Sequence, residues 1–185
     1  MGQNCRPRIA VNQKPEVYLS KELIRQRVSE LGDQITRDFA GNHLICVGVL
    51  KGSFIFFADL VRQIDLPLKI DFLRASSYGD HTESSGVVKI TLDLSLSIEN
   101  QHVLLIEDIV DTGTTIHYLL KNLKLRNPAS LKFCSLLFKP TQVKNQVPID
   151  YLGFEIDDQF VVGYGLDMAE NYRNLPYLGK INPRG

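Results

Sequence analysis

The chain has no net charge, with 21 lysines and arginines balancing 21 aspartates and glutamates. That balance removes any bulk electrostatic case for nucleic acid or an anionic membrane as partner and leaves only a local basic patch open. Cysteine is scarce. Cys5, Cys46 and Cys134 cannot pair completely, and no Cys-x-x-Cys occurs. Cys46 and Cys134 lie inside apolar runs, where a free thiol acts as a small core residue. The expectation is a reducing cytoplasm. The four histidines are scattered, without metal-ligand spacing. The longest apolar run, Leu44 to Leu50, falls far short of the roughly 20 residues of a membrane span. Met1 to Ala10 lacks the apolar stretch of a secretory signal. No internal repeat or low-complexity segment occurs. Neither Gly-x4-Gly-Lys-[ST] nor Gly-x-Gly-x-x-Gly is present, which excludes the P-loop and Rossmann fingerprints.

What is present describes an ordinary globular chain: 185 residues, 44% apolar and 23% charged, enough for one domain with its own core. Ser20 to Phe39 has apolar residues at helical spacing (Ile24, Val28, Leu31, Ile35, Phe39), with Ser20 as cap and Gly41 as stop. Leu44 to Leu50 predicts a strand covered on both faces. A helix is expected over Ser53 to Ile64 and a strand over Leu68 to Ala75. The polar stretch Ser76 to Gly86 predicts a long loop of the kind that forms lids. Val87 to Leu94 alternates like a half-exposed strand. Strands are further expected at Val103 to Ile106 and Leu131 to Phe138, flanking a helix from Gly113 to Leu125. Short strands and turns should fill Ile149 to Gly185. Alternating strand and helix predict an α/β fold with a mainly parallel central sheet, whose sites lie beyond the strands' carboxyl ends.

The most informative stretch is VLLIEDIVDTGTT, Val103 to Thr115. Four apolar residues should form a strand that two carboxylates terminate. A turn of small residues then opens a helix. Gly113 lets backbone approach a ligand, and the threonine hydroxyls stand beside free N–H groups at the helix start. Together these make a phosphate cradle that needs no lysine. Glu107 and Asp108 can accept hydrogen bonds from two neighbouring hydroxyls or help hold hydrated Mg²⁺. A phosphate cradle preceded by carboxylates for a diol fits a ribose 5-phosphate. Asp-Thr-Gly also marks aspartic proteases, but those need two such carboxylates in an all-β frame.

VLLIEDIVDTGTT closely resembles the phosphoribosyl pyrophosphate (PRPP) motif of type I phosphoribosyltransferases. Three further motifs in the family's order narrow the resemblance to the hypoxanthine–guanine phosphoribosyltransferase family. They are Val49-Leu50-Lys51-Gly52, the pair Ser77-Tyr78, and Lys139 followed by FVVGYGLDMAENYR from Phe160 to Arg173. The resemblance covers about Val17 to Arg173. It implies one domain over 1–185, with a core of about 38–140. A small hood would come from the N-terminal segment and about 141–185.

The resemblance also implies roles at matching positions. Glu107 and Asp108 would bind the ribose hydroxyls. Asp111 would be the catalytic base or acid near N7 of the purine. Asp111, Thr112, Gly113, Thr114 and Thr115 would line the ribose-phosphate site. Leu50, Lys51 and Gly52, with a non-proline cis peptide, would bind pyrophosphate together with Arg173. Lys139 would donate to O6, Phe160 would stack on the base, the Val161 backbone would read its edge, and Asp167 would border the purine. Mg²⁺ would be held by Glu107, Asp108 and Asp167, and Ser77 and Tyr78 would close as a lid. The implied substrates are PRPP and a 6-oxopurine, and the implied assembly is a homodimer or homotetramer. No nucleic-acid or membrane partner is expected.

Residue chemistry agrees at Lys139, since a lysine only donates and so suits an oxo group better than an amino group. Three departures from the family pattern stand out. Ser53 replaces the second glycine of a pair, Thr114 stands where some relatives have lysine, and Ala75-Ser76 is less basic than in some relatives. Two rivals share the fold: a PRPP-sensing regulator that binds nucleic acid, and a phosphoribosyltransferase for adenine or orotate. A neutral chain that retains Asp111 weighs against the first. Lys139 with the Phe160–Asp167 segment weighs against the second.

Overall fold

A computed structural model describes residues 14–78 and 87–182. Its centre is a six-stranded sheet in the order β4-β3-β2-β5-β6-β7. The strands are β2 (Leu44–Val49), β3 (Leu68–Tyr78), β4 (Val87–Leu92), β5 (His102–Val110), β6 (Ser130–Phe138) and β7 (Tyr151–Glu155). All neighbours run parallel except the edge pair β3–β4. The expected α/β architecture with a mainly parallel sheet is present.

Strand β2 shows why the sheet is covered on both faces. Leu44 and Cys46 face one apolar cluster, while Ile45, Val47 and Val49 face the other. The first cluster is closed by α1 (Lys21–Asp38) and α2 (Phe54–Val61), the second by α3 (Thr114–Lys124). In α1 the apolar stripe is buried, from Ile24 to Phe39, and the Ser20 hydroxyl accepts from Leu23 N–H as N-cap. Burying these side chains contributes about 1.5–3 kcal/mol each against the cost of ordering the chain.

A second, three-stranded antiparallel sheet joins β1 (Glu16–Leu19), β9 (Leu178–Lys180) and β8 (Val161–Val162). Strand β1 had no counterpart in the sequence pattern. It exists because Glu16 and Val17 pair with Lys180 and Gly179 from the far end of the chain.

Several expected boundaries need correction. Strand β5 does not stop at Ile106 but continues through Glu107 and Asp108 to Val110, in register with Phe138. Its alternation breaks there: Ile106 and Ile109 share one cluster, and Val110 joins the other. Helix α2 is shorter than expected, Phe54–Val61. Strand β3 runs on through Ser77 and Tyr78, which pair with Val88 and Val87, so these two are strand residues rather than the start of a loop. Residues 79–86 of the expected lid lie outside the described residues.

Candidate functional site

Leu50 to Gly52, Asp111 to Thr115 and Lys139 follow β2, β5 and β6, Glu107 and Asp108 lie near the end of β5, Ser77 and Tyr78 end β3, and Phe160, Val161, Asp167 and Arg173 come from β8 and the turns around it. After β5 the chain turns at Gly113, whose φ of +76° favours glycine. A side chain there would also collide with the Asn145 carbonyl oxygen. Helix α3 then starts, the Thr114 N–H donating to Thr112 Oγ1 at 3.4 Å and the positive end of the helix lying beside the turn. A cavity of about 400 Å³ opens at this point, lined by Leu50, Glu107, Asp111, Thr112, Gly113 and Thr115 among others. The Thr114 hydroxyl accepts from Asn145 Nδ2 at 3.1 Å and from Thr112 Oγ1 at 3.3 Å and keeps its own proton to donate.

A neighbouring cavity of about 760 Å³ is lined by Asp111, Lys139, Asp158, Phe160 and Lys180 among others. Asp111 therefore borders both cavities. Lys139 follows β6, its backbone N–H donating to Val110 O at 3.0 Å, which seats it beside Asp111. The Lys139 side chain is buried, and its Nζ lies 3.5 Å from Asp158 Oδ1. Phe160 is 41% exposed on the wall of this cavity. Val161 is buried behind it in β8.

The Leu50–Lys51 peptide is cis. Gly52 lies so close to Asp108 that a Cβ there would overlap the carboxylate, and Gly165 packs equally closely on the Gly52 carbonyl. Ser53 fills the family's glycine position without strain: it is fully buried and its hydroxyl donates to Val49 O at 2.5 Å. Above this loop Arg173 donates through Nη1 to Gly165 O at 2.8 Å and pairs through Nη2 with Asp167 at 2.7 Å. Glu170 lies 2.9 Å from Lys51 Nζ and 3.5 Å from Arg173 Nη2.

Two buried polar atoms lack a hydrogen-bond partner among the described side chains, Glu107 Oε2 and Arg173 Nε. One is an acceptor and the other a donor, and a buried group left unpaired costs about 1–3 kcal/mol. Burial, followed by the adjacent Asp108 carboxylate, pushes the Glu107 carboxyl well above its usual range. Burial also raises Asp108. A ligand carrying hydroxyls or a cation for the first atom, and an anionic oxygen for the second, would satisfy both.

The comparisons with known proteins agree with this geometry. Residues 16–169 match the model of the phosphoribosyl transferase domain. A hypoxanthine–guanine phosphoribosyltransferase of Dictyostelium discoideum is 52% identical over 170 residues, 90% of this chain and 94% of that one. The Staphylococcus aureus enzyme of the same name is 49% identical over 172 residues, 93% and 96% of the two chains. The crystal structure of a Bacillus anthracis hypoxanthine–guanine phosphoribosyltransferase superposes with a TM-score of 0.88 at 44% identity, covering 92% of this chain and 100% of that one.

The chain belongs to the hypoxanthine–guanine phosphoribosyltransferase family.

Membership gives the cavities their context, and the remaining features can be weighed against it. Among the described residues no three His, Cys, Asp or Glu side chains gather to hold a metal ion. Asp167 is turned to Arg173 and to the Glu170 N–H. An ion caged by protein alone does not fit. A Mg²⁺ that keeps waters and substrate oxygens does fit, because Glu107 offers a free buried oxygen. A further cavity of about 940 Å³ lies along α1 and α2 and is lined by none of the expected site residues. Its walls carry Lys21, Arg25, Glu30 and Arg62. No helix among the described residues is long and apolar enough to cross a membrane.

Sequence reasoning missed Asp158 and Asn145 and read Glu170 only as part of the segment from Phe160 to Arg173. The only available signal was the Asp157-Asp158 doublet ahead of Phe160, which does not reveal a partner distant in sequence.

Proposed function

We propose that the protein transfers the 5-phosphoribosyl group of PRPP to N9 of hypoxanthine or guanine, giving IMP or GMP and pyrophosphate in purine salvage. The observation that carries this reading is the position of Asp111 on the wall common to both cavities. A ribose 5-phosphate in the smaller cavity and a purine in the larger would meet beside its carboxylate.

In this mechanism the α3 N-terminus, with Thr112, Gly113, Thr114 and Thr115, holds the 5′-phosphate, Thr114 donating through its hydroxyl. Glu107 and Asp108 accept from the ribose hydroxyls and oppose the positive charge that develops on the ribose. Leu50, Lys51, Gly52 and Arg173 hold the pyrophosphate. Phe160 stacks on the base, Lys139 donates to O6, and the segment from Val161 to Asp167 borders the purine edge. N9 attacks C1 as the bond from C1 to the pyrophosphate oxygen breaks, and Asp111 takes the N7 proton. Glu107, Asp108 and Asp167 would hold Mg²⁺, which would supply charge neutralisation for the leaving pyrophosphate. Ser77 and Tyr78 close over the site to exclude water.

The three-stranded sheet β1-β9-β8 serves as the hood, whereas β7 and α1, which fall outside the expected core of about 38–140, belong to the central sheet and the cluster beneath it. Buried free Cys46 and Cys134 suit a reducing cytoplasm, and the assembly is a homodimer or homotetramer. The test is nucleotide formation from PRPP with hypoxanthine, guanine, xanthine and adenine side by side, with and without Mg²⁺. Metal-dependent turnover of oxopurines is expected. Adenine turnover would indicate another base, and PRPP binding without turnover would indicate a regulator.

A further inference from the structure

A buried ammonium needs a partner, and Lys139 has one that the reaction does not explain. Its Nζ lies 3.5 Å from Asp158 Oδ1. Asp158 is itself held, because Gln142 Nε2 donates to its other oxygen, Oδ2, at 2.7 Å. Gln142 ends the 3₁₀ turn Pro140–Gln142 that begins directly after Lys139, and its backbone N–H donates to Lys139 O at 3.2 Å. The contacts form a closed ring: Lys139, the turn, Gln142, Asp158 and back to Lys139. The same short segment supplies Phe160, two residues after Asp158, to the same cavity wall.

We infer that Asp158 is a positioning residue that aims the Lys139 ammonium at the 6-oxo group of the base. The inference rests on the proposed reading of this cavity as the purine site. Three physical points support it. An ammonium has three protons, and Asp158 engages at most one direction, leaving the others for the base. The 3.5 Å separation is longer than a tight charge-assisted bond of about 2.7–2.9 Å, so the carboxylate restrains Nζ without sequestering it. The Gln142 bond fixes which oxygen faces the lysine. The Asp158 side chain is 57% exposed, so this pair adds little to folding stability. Its role is directional, and it acts through Lys139 rather than on the reacting atoms.

The test separates this role from a structural one by the base used. Hypoxanthine is compared with unsubstituted purine, which lacks the 6-oxo group, in wild type, Asp158→Asn, Asp158→Glu, Lys139→Ala and the double variant Lys139→Ala/Asp158→Asn. Asp158→Asn should raise KM for hypoxanthine about tenfold, with a smaller effect on kcat, as expected for one lost coupling in a polar network. The PRPP KM and the inhibition constant of unsubstituted purine should not move. Asp158→Glu should restore most of the affinity, and Asp158→Asn should add nothing in the Lys139→Ala background. An unchanged hypoxanthine KM in Asp158→Asn, or an equal loss with both bases, overturns the inference. If Lys139→Ala itself leaves the hypoxanthine-to-purine ratio unchanged, the base-site reading fails and takes the inference with it. A Lys139→Ala shift without an Asp158→Asn shift overturns the inference alone.

Discussion

Gly52 and Asp108 are in such close contact that a methyl group on Gly52 would overlap Asp108 Oδ2. The contact joins the cis-peptide loop after β2 to the acidic pair of β5. Gly52→Ala should therefore displace the Asp108 carboxylate or the loop. We expect a loss of about 1–3 kcal/mol in stability, read by thermal or urea unfolding. The KM for PRPP should rise, while the affinity for the base stays near wild type.

Arg173 carries a buried Nε without a partner, while its Nη atoms are held by Gly165 O and Asp167. Arg173→Lys keeps the charge but loses the planar fork. The expected result is a weaker grip on pyrophosphate, by about 1–3 kcal/mol for one charged hydrogen bond. Product inhibition by pyrophosphate measures it directly.

Asp71 supplies a pH-dependent part of the stability away from the site. Its buried carboxylate accepts from the N–H groups of Phe72, Ser95 and Leu96 and from the Ser95 hydroxyl. Burial pushes its pKa up, but these bonds outweigh burial and hold it below the ordinary 3.8. A depressed carboxyl stabilises the fold above its unfolded pKa, and the contribution is lost as pH falls through the folded pKa. Asp71→Asn should cost about 2 kcal/mol at neutral pH. The difference from wild type should shrink only below pH 3.8, as followed by urea unfolding across pH.

How much of this was legible in the sequence depended on whether the signal was local. Helix α1 was legible because burial follows the 3.6-residue period from Ile24 to Phe39. The Gly113 turn was legible because its residue type matches a left-handed φ. Strand β1 was not, since its half-exposed four residues gain their partner only from β9 at the far end of the chain. The end of β5 was misplaced at Ile106 because Glu107 and Asp108 look like a solvent boundary. Tertiary pairing with β6 overrides that pattern and buries them. Motif residues Asp111, Lys139 and Phe160 were legible, whereas Asp158 and Gln142 act through contacts no spacing rule encodes.

Asp111, on the wall shared by the two cavities, is where the proposed chemistry is most exposed to test. The measurement is the rate of IMP formation from saturating hypoxanthine and PRPP by wild type and by Asp111→Asn, which keeps the shape and removes the proton acceptor. The prediction is a fall in kcat of about a hundredfold or more, the usual contribution of a general base, with both KM values little changed. An Asp111→Asn variant that turns over within about twofold of wild type, far less than a lost base costs, would contradict it.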